Sequence, residues 1–171
     1  MKYPVVTLCF GIMAAGAFAL AAPVSYAGAA ESNRYSVVDN GNAIQDSKTG
    51  LVWKRCEEGK YFADGVCKGL GIRYNWSDIE TMDGKEWRLP TAQELKSLKE
   101  DSGVAPPINP EYFPNTDRAW FWSSSADKRD ARGCIQNVYF GDNIERRCPT
   151  IRSGADQLAL KPAYVRLVRA N

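Results

Sequence analysis

"EWRLPTAQEL" runs from Glu86 to Leu95, and its punctuation decides how the chain on either side folds. Pro90 cannot continue a helix backwards and pushes Leu89 into extended backbone. Thr91 and Glu94 stand three apart, the spacing of a capping box that satisfies two backbone N–H groups at a helix start. Leu95 and Leu98 give that helix an apolar stripe, and Ser102-Gly103 ends it. The segment therefore predicts an extended-to-helix joint. Trp87 and Leu89, two apart on its extended limb, both enter the core.

Before the joint, "RYSVVDNGNAIQDSKTGLVWKRC" (Arg34–Cys56) reads as short strands with turns. Asn40-Gly41 is a strong hairpin signal, and Lys48-Thr49-Gly50 makes a second turn before Leu51-Val52-Trp53. A loop closed by Cys56 and Cys67 follows, then a short helix in "NWSDIETM" (Asn75–Met82), where Ser77 and Glu80 again have capping-box spacing. After the joint, four of the nine prolines (Pro106, Pro107, Pro110 and Pro114) mark a long loop between Val104 and Ala119. "AWFWSSSA" (Ala119–Ala126), "IQNVYFGDNIERR" (Ile135–Arg147) and "AYVRLVRA" (Ala163–Ala170) supply late strands, the middle one turning at Gly141. This order predicts an α+β domain in which an antiparallel sheet carries two helices.

The first residues read as an address. Lys2 precedes an apolar run from Val5 to Ala22, and small-x-small patterns follow at Ser25-Tyr26-Ala27 and Ala27-Gly28-Ala29, so residues 1–29 read as a signal peptide. Gly11, Gly16 and Pro23 interrupt the run and weaken an anchor reading. Thr7 and Leu8 before Cys9 fit a lipoprotein signal poorly. Residues 30–171 suffice for one domain. No later stretch approaches the ~20 apolar residues of a membrane span. The expected location is the periplasm or the exterior of a bacterial cell.

Cys9 leaves with the signal, and Cys56, Cys67, Cys134 and Cys148 stay. An even number in an oxidising compartment argues for two disulfides. Of three pairings, the local one, Cys56–Cys67 and Cys134–Cys148, is favoured, because a hairpin turning at Gly141 sets the second pair opposite each other. Zinc fails on spacing, since there is no Cys-x-x-Cys and no histidine. The lack of histidine also excludes Ser-His-Asp and Cys-His nucleophile systems.

Five motifs occur in order: "DSKTGLVWKRC" (Asp46–Cys56), "EWRLPTAQEL", "FPNT" (Phe113–Thr116), "WFWSSS" (Trp120–Ser125) and "YVRLVR" (Tyr164–Arg169). Together they resemble the Lcl C-terminal domain family, named for the tail of a Legionella collagen-like surface adhesin. Glu86 departs from the pattern, in which aspartate commonly precedes the tryptophan. The resemblance implies a C-type-lectin-like fold, with N- and C-terminal strands paired, two early helices, and a ligand surface on long loops and late strands. The family name describes a domain and not an activity.

Several residues invite a functional reading. Trp53, Trp87, Trp120 and Trp122 read first as core. Trp120, beside the long loop, is the best placed to stack on a sugar ring, and Trp76 is a poorer candidate. Residues 128–169 carry nine basic side chains against four acidic, whereas residues 31–127 carry twelve against sixteen. Such asymmetry can draw a polyanion to one face, and the adhesin naming the family is associated with sulfated glycans. Arg129, Arg132, Arg147 and Arg152 form the candidate anion site, Arg147 being preferred because Arg146 shares its side with Cys148. Arg166 and Arg169 read as structural ion-pair or packing residues. Asp39, Asn40, Asn42 and Asp46 lack the positions of an EF-hand loop, and turn chemistry accounts for them. The calcium motifs of sugar-binding C-type lectins are absent from the sequence. Ser123, Ser124 and Ser125 have no base in view, and Glu94 and Glu145 form no evident catalytic pair. The expectation is a non-catalytic binding module without metal or cofactor, acting in adhesion or surface recognition of a sulfated or other anionic glycan. The alternative is a structural or accessory protein docking onto a cell-envelope protein. Neither nucleic acid nor membrane is an expected partner.

Overall fold

The computed structural model describes residues 34–79, 82, 84, 86–100, 103, 105–126, 135–141, 150–152 and 158–171. In chain order the strands and helices are β1 (Tyr35–Val38), β2 (Ala43–Asp46), β3 (Leu51–Lys54), β4 (Lys60–Ala63), β5 (Val66–Gly69), α1 (Trp76–Ile79), α2 (Ala92–Ser97), β6 (Trp120–Ala126), β7 (Ile135–Tyr139), β8 (Thr150–Arg152), β9 (Leu158–Leu160) and β10 (Val168–Ala170). Antiparallel strands with short helices make this an α+β domain, as expected.

The main sheet has the order β1-β2-β3-β10, antiparallel throughout. The β1–β2 turn uses Asn40 and Gly41 at φ 53° and 93°, backbone that Asn and Gly tolerate best. The β2–β3 turn is held by Asp46, whose carboxylate accepts from the Lys48 backbone and the Thr49 hydroxyl, both at 3.0 Å. The resemblance led us to expect N- and C-terminal strands paired with each other. Instead β10 pairs with β3, and β2 and β3 separate it from β1. The register explains why: Ile44, Trp53 and Val168 stand side by side across β2, β3 and β10, and all three are fully buried. Placing β10 there puts Val168 on the same apolar face as Trp53.

That face packs on Leu95, Leu98, Phe113, Phe121 and Phe140, so α2, the long loop and the β6–β7 pair close over it. A second cluster gathers Ile79, Leu89, Trp122, Val165 and Leu167. Trp53 and Trp122 are core residues, as expected. The long loop is less of a surface excursion than its prolines suggest, since Ile108 and Phe113 are buried.

The joint behaves as read at its centre. Thr91 caps α2, its hydroxyl accepting from the Glu94 backbone at 3.1 Å while the Glu94 carboxylate accepts from the Thr91 backbone at 2.7 Å. Leu89 is buried, but Trp87 is only partly so. Its indole lies under two cations, Lys54 Nζ at 5.4 Å and the Arg169 guanidinium at 5.2 Å from the ring centre. The helix also ends sooner than expected, at Ser97 instead of near Ser102. The cap of α1 needs a larger correction. Asn75, not Ser77, precedes the helix, and Asp78 accepts from its backbone N–H and side-chain amide, both at 3.1 Å. Ser77 therefore lies inside the helix, and Glu80, its expected partner, lies outside the described residues.

The C-terminal motif runs through the middle of the molecule. Residues 163–168 exchange backbone hydrogen bonds in turn with Tyr74, with β6 at Trp120 and Trp122, with Glu58, with Lys54 and with Arg88. Between Cys56 and Cys67, where a loop was expected, β4 and β5 form a hairpin turning at Asp64-Gly65, with φ of 51° and 82°. The disulfide Cys56–Cys67 is present, with Cα atoms 5.6 Å apart, and ties the hairpin to the end of β3. Gly59 lets the hairpin base lie against the returning chain. A Cβ there would come within 2.5 Å of Ile72 and 2.6 Å of the Leu70 carbonyl. Cys134 and Cys148 lie outside the described residues, so their pairing stays an expectation. The hairpin proposed between them is described only in its first limb, β7, which pairs with β6.

Candidate functional site

The hairpin stands on a buried ionic network. Arg166, 1% exposed, projects from the C-terminal stretch and donates to the carbonyls of Lys54 and Arg55, to Glu57 Oε2 at 3.0 Å and to Thr116 Oγ1 at 2.8 Å. Glu57 is fully buried, and its other oxygen accepts from Lys60 Nζ at 2.7 Å and from the Asp117 backbone at 3.2 Å. Lys60 reaches onward to Asp117 Oδ2 at 2.8 Å and to the Asn115 carbonyl at 2.9 Å. Burial drives the Arg166 pKa downward against the pull of Glu57. Burial opposes the charge on Lys60 too, but its bonds to Asp117 and Glu57 carry the pKa above the ordinary lysine value. Each charge in this group has a partner, the condition under which buried ions persist. Arg166 is therefore structural, as its place in the closing motif suggested. Nearby, Arg55 lies over the Phe62 ring at 3.6 Å and donates to the carbonyls of Glu111 and Tyr112, fastening the long loop to the hairpin.

Above this frame opens a cleft of about 350 Å³, within the usual range for small-ligand sites. Its walls come from three places in the sequence. The β1–β2 turn contributes Asp39 and Asn42. The end of β3 and the hairpin contribute Lys54, Glu58, Lys60, Tyr61 and Phe62, and the joint contributes Trp87. Asp39 is held by Arg169, whose guanidinium donates to both carboxylate oxygens at 3.2 and 3.1 Å and also lies 3.7 Å from Glu86. Lys54 and Glu58 face each other at 3.5 Å, looser than the 2.7–2.9 Å of a tight charge-assisted hydrogen bond. Tyr61 is 62% exposed. Fixed charges of both signs and aromatic surface thus meet in one open depression.

The residues singled out from the sequence are only partly among the described ones. Arg129, Arg132 and Arg147 lie outside the described residues, and Arg152 is described only as the end of β8, paired with Leu158. Trp120 opens β6 directly after the long loop, partly exposed, with its ring 5.0 Å from that of Tyr139. Asp39 and Asn42, assigned to turn chemistry, do form a turn and also line the cleft. Tyr61, Lys54 and Glu58 escaped sequence reading because no local pattern joins them to Trp87. The one available signal was Asp64-Gly65, a dipeptide that marks a hairpin turn and would have raised Tyr61 out of the supposed loop.

No match was found among curated proteins or among solved structures. The model of the Lcl C-terminal domain matches residues 42–169. That span runs from the first turn of the main sheet to its last strand and holds the joint, the buried Arg166 network and most of the cleft wall. The chain belongs to the Lcl C-terminal domain family.

Proposed function

We propose that this protein is an exported, non-catalytic recognition module that serves adhesion or surface binding, with a glycan as its partner. The observation that carries the reading is the open cleft in which Tyr61, Phe62 and Trp87 stand beside Lys54 and Glu58 on a disulfide-tied, ion-paired frame. A rigid frame presenting aromatic and polar groups loses little entropy on binding. Export, with residues 1–29 as signal and 30–171 as domain, is supported by the Cys56–Cys67 disulfide. No helix among the described residues is long and apolar enough to cross a membrane.

The basic excess of residues 128–169 supports an anionic glycan as ligand, with Arg129, Arg132, Arg147 and Arg152 as its contacts and Trp120 as a further one. Arginine offers a planar fork suited to sulfate and carboxylate groups. Changing the four arginines to serine should abolish retention on heparin without lowering the melting temperature. Equal, low-salt elution of wild type and variant defeats the anionic-glycan reading. A second reading has its own observation: Leu70 and Ile72 are 87% and 46% exposed beside the hairpin, apolar surface that a protein partner in the cell envelope would cover. Capture of one such partner, insensitive to salt and lost in L70S/I72S, would favour it.

A further inference from the structure

The geometry points to a second specificity in the cleft: Lys54, Glu58 and Asn42 bind the hydroxyl groups of an uncharged sugar ring that packs against Tyr61. The inference rests on the recognition reading but assigns this ligand to other residues than the four arginines.

Charge selects the ligand class. Asp39 and Glu58 stand in the wall and oppose a sulfate or carboxylate group, while Lys54 and Lys60 in the same wall oppose a basic peptide. A hydroxyl group both donates and accepts, so one ligand hydroxyl can accept from Lys54 Nζ while donating to Glu58. The two side chains already face each other at 3.5 Å, with Lys54 37% and Glu58 23% exposed, so both are open to such a bridge. Lys60 is occupied by Glu57, Asp117 and the Asn115 carbonyl, and Asp39 by Arg169. The Asn42 amide nitrogen donates to the Asp39 carbonyl at 3.3 Å, a bond that directs the amide while its oxygen remains available as an acceptor among the described residues.

Apolar surface supplies the other half. Tyr61 is more than half exposed, on a strand whose neighbours are fixed by Cys56–Cys67 and by Lys60. A sugar ring has one face lined by C–H groups, and an exposed aromatic ring can cover it at little entropic cost. Trp87 is already overlain by Lys54 and Arg169, so it serves as a wall that holds those cations in place. Tyr61 is the ring free to take the sugar.

The test uses protein purified from the exported fraction on an array of uncharged hexose and N-acetylhexosamine oligosaccharides, with heparin alongside. At least one uncharged oligosaccharide should bind, with an affinity unchanged between low and high salt, because no counterions are released. Y61A and E58Q should each weaken that binding about tenfold while leaving heparin retention unaltered. Tyr61 is exposed and Glu58 partly so, and a melting curve matching wild type shows that the variants fold. Heparin binding without binding of any uncharged oligosaccharide overturns this inference and leaves the recognition reading intact. Uncharged binding that Y61A and E58Q do not change also overturns it, since the sugar then sits elsewhere. Failure of both probes defeats the two readings together.

Discussion

Arg166 is nearly sealed from water, yet it remains charged because Glu57, Thr116 and two carbonyl oxygens surround it. Removing one member of such a group leaves the others buried and uncompensated. Arg166→Met should therefore lower stability by about 3–5 kcal/mol in urea melts, and adding Glu57→Gln should recover part of the loss. Additive losses would mean that the two residues do not act as a pair. Glu94 carries a different consequence. Hydrogen bonds from Arg88, chiefly, hold its carboxyl below the usual carboxylate range, with the Thr91 backbone adding to them against burial. A folded-state value below the unfolded value means that the unfolded chain binds the proton first as pH falls. The stabilisation is complete above the unfolded value of about 4.3 and is lost as pH drops through the folded value. Glu94→Gln should be less stable than wild type at neutral pH, with the difference narrowing in acid melts. A gap that stays constant with pH would show that the charge of Glu94 is immaterial.

At the scale of elements, the joint and the hairpin show how short pieces are made to hold. Helix α2 has only six residues, too few to be stable alone, and depends on its capping box and on Leu95 in the core. Thr91→Ala should cost about 1 kcal/mol. Trp122→Ala, at a fully buried strand position, should cost about 3–5 kcal/mol. Trp87→Ala should cost less than Trp122→Ala, because Trp87 keeps one side toward solvent and its cations. Urea melts of the three variants check the ranking, and a Trp87 loss equal to that of Trp122 would place its indole in the core after all. The β4–β5 hairpin has two strands and, among the described residues, no sheet neighbour, so its order depends on the disulfide and on Lys60.

Over the whole molecule, the last residues join what the rest of the chain leaves apart. Residues 163–168 bond to β3, β6, the joint, Glu58 and Tyr74, and they supply Val165, Leu167 and Val168 to the two apolar clusters. Deleting residues 163–171 should abolish cooperative unfolding, with no thermal transition by circular dichroism and rapid proteolysis. A truncated chain that melts like the full one would show that the early sheet folds without its last strand. The same stretch places Arg169 on Asp39, so the C-terminus also shapes the rim of the cleft.

The amino-acid sequence by itself determined the local features. Turns at Asn40-Gly41 and Gly50, the Thr91–Glu94 cap, the Cys56–Cys67 pair and the burial of Trp53 and Trp122 follow from interactions between residues close in the chain or from the size and apolar character of the side chain itself. The family was also legible, because its motifs mark joints whose geometry a few side chains fix. Only the tertiary structure decided that β10 pairs with β3 and not β1, that Trp87 ends under two cations, and that Asp39, Lys54, Tyr61 and Trp87 meet around one cleft. Those outcomes depend on which apolar faces bury each other across long sequence separations. Nothing near Trp87 in the sequence records that Arg169, the last-strand partner of Val52, will lie across it.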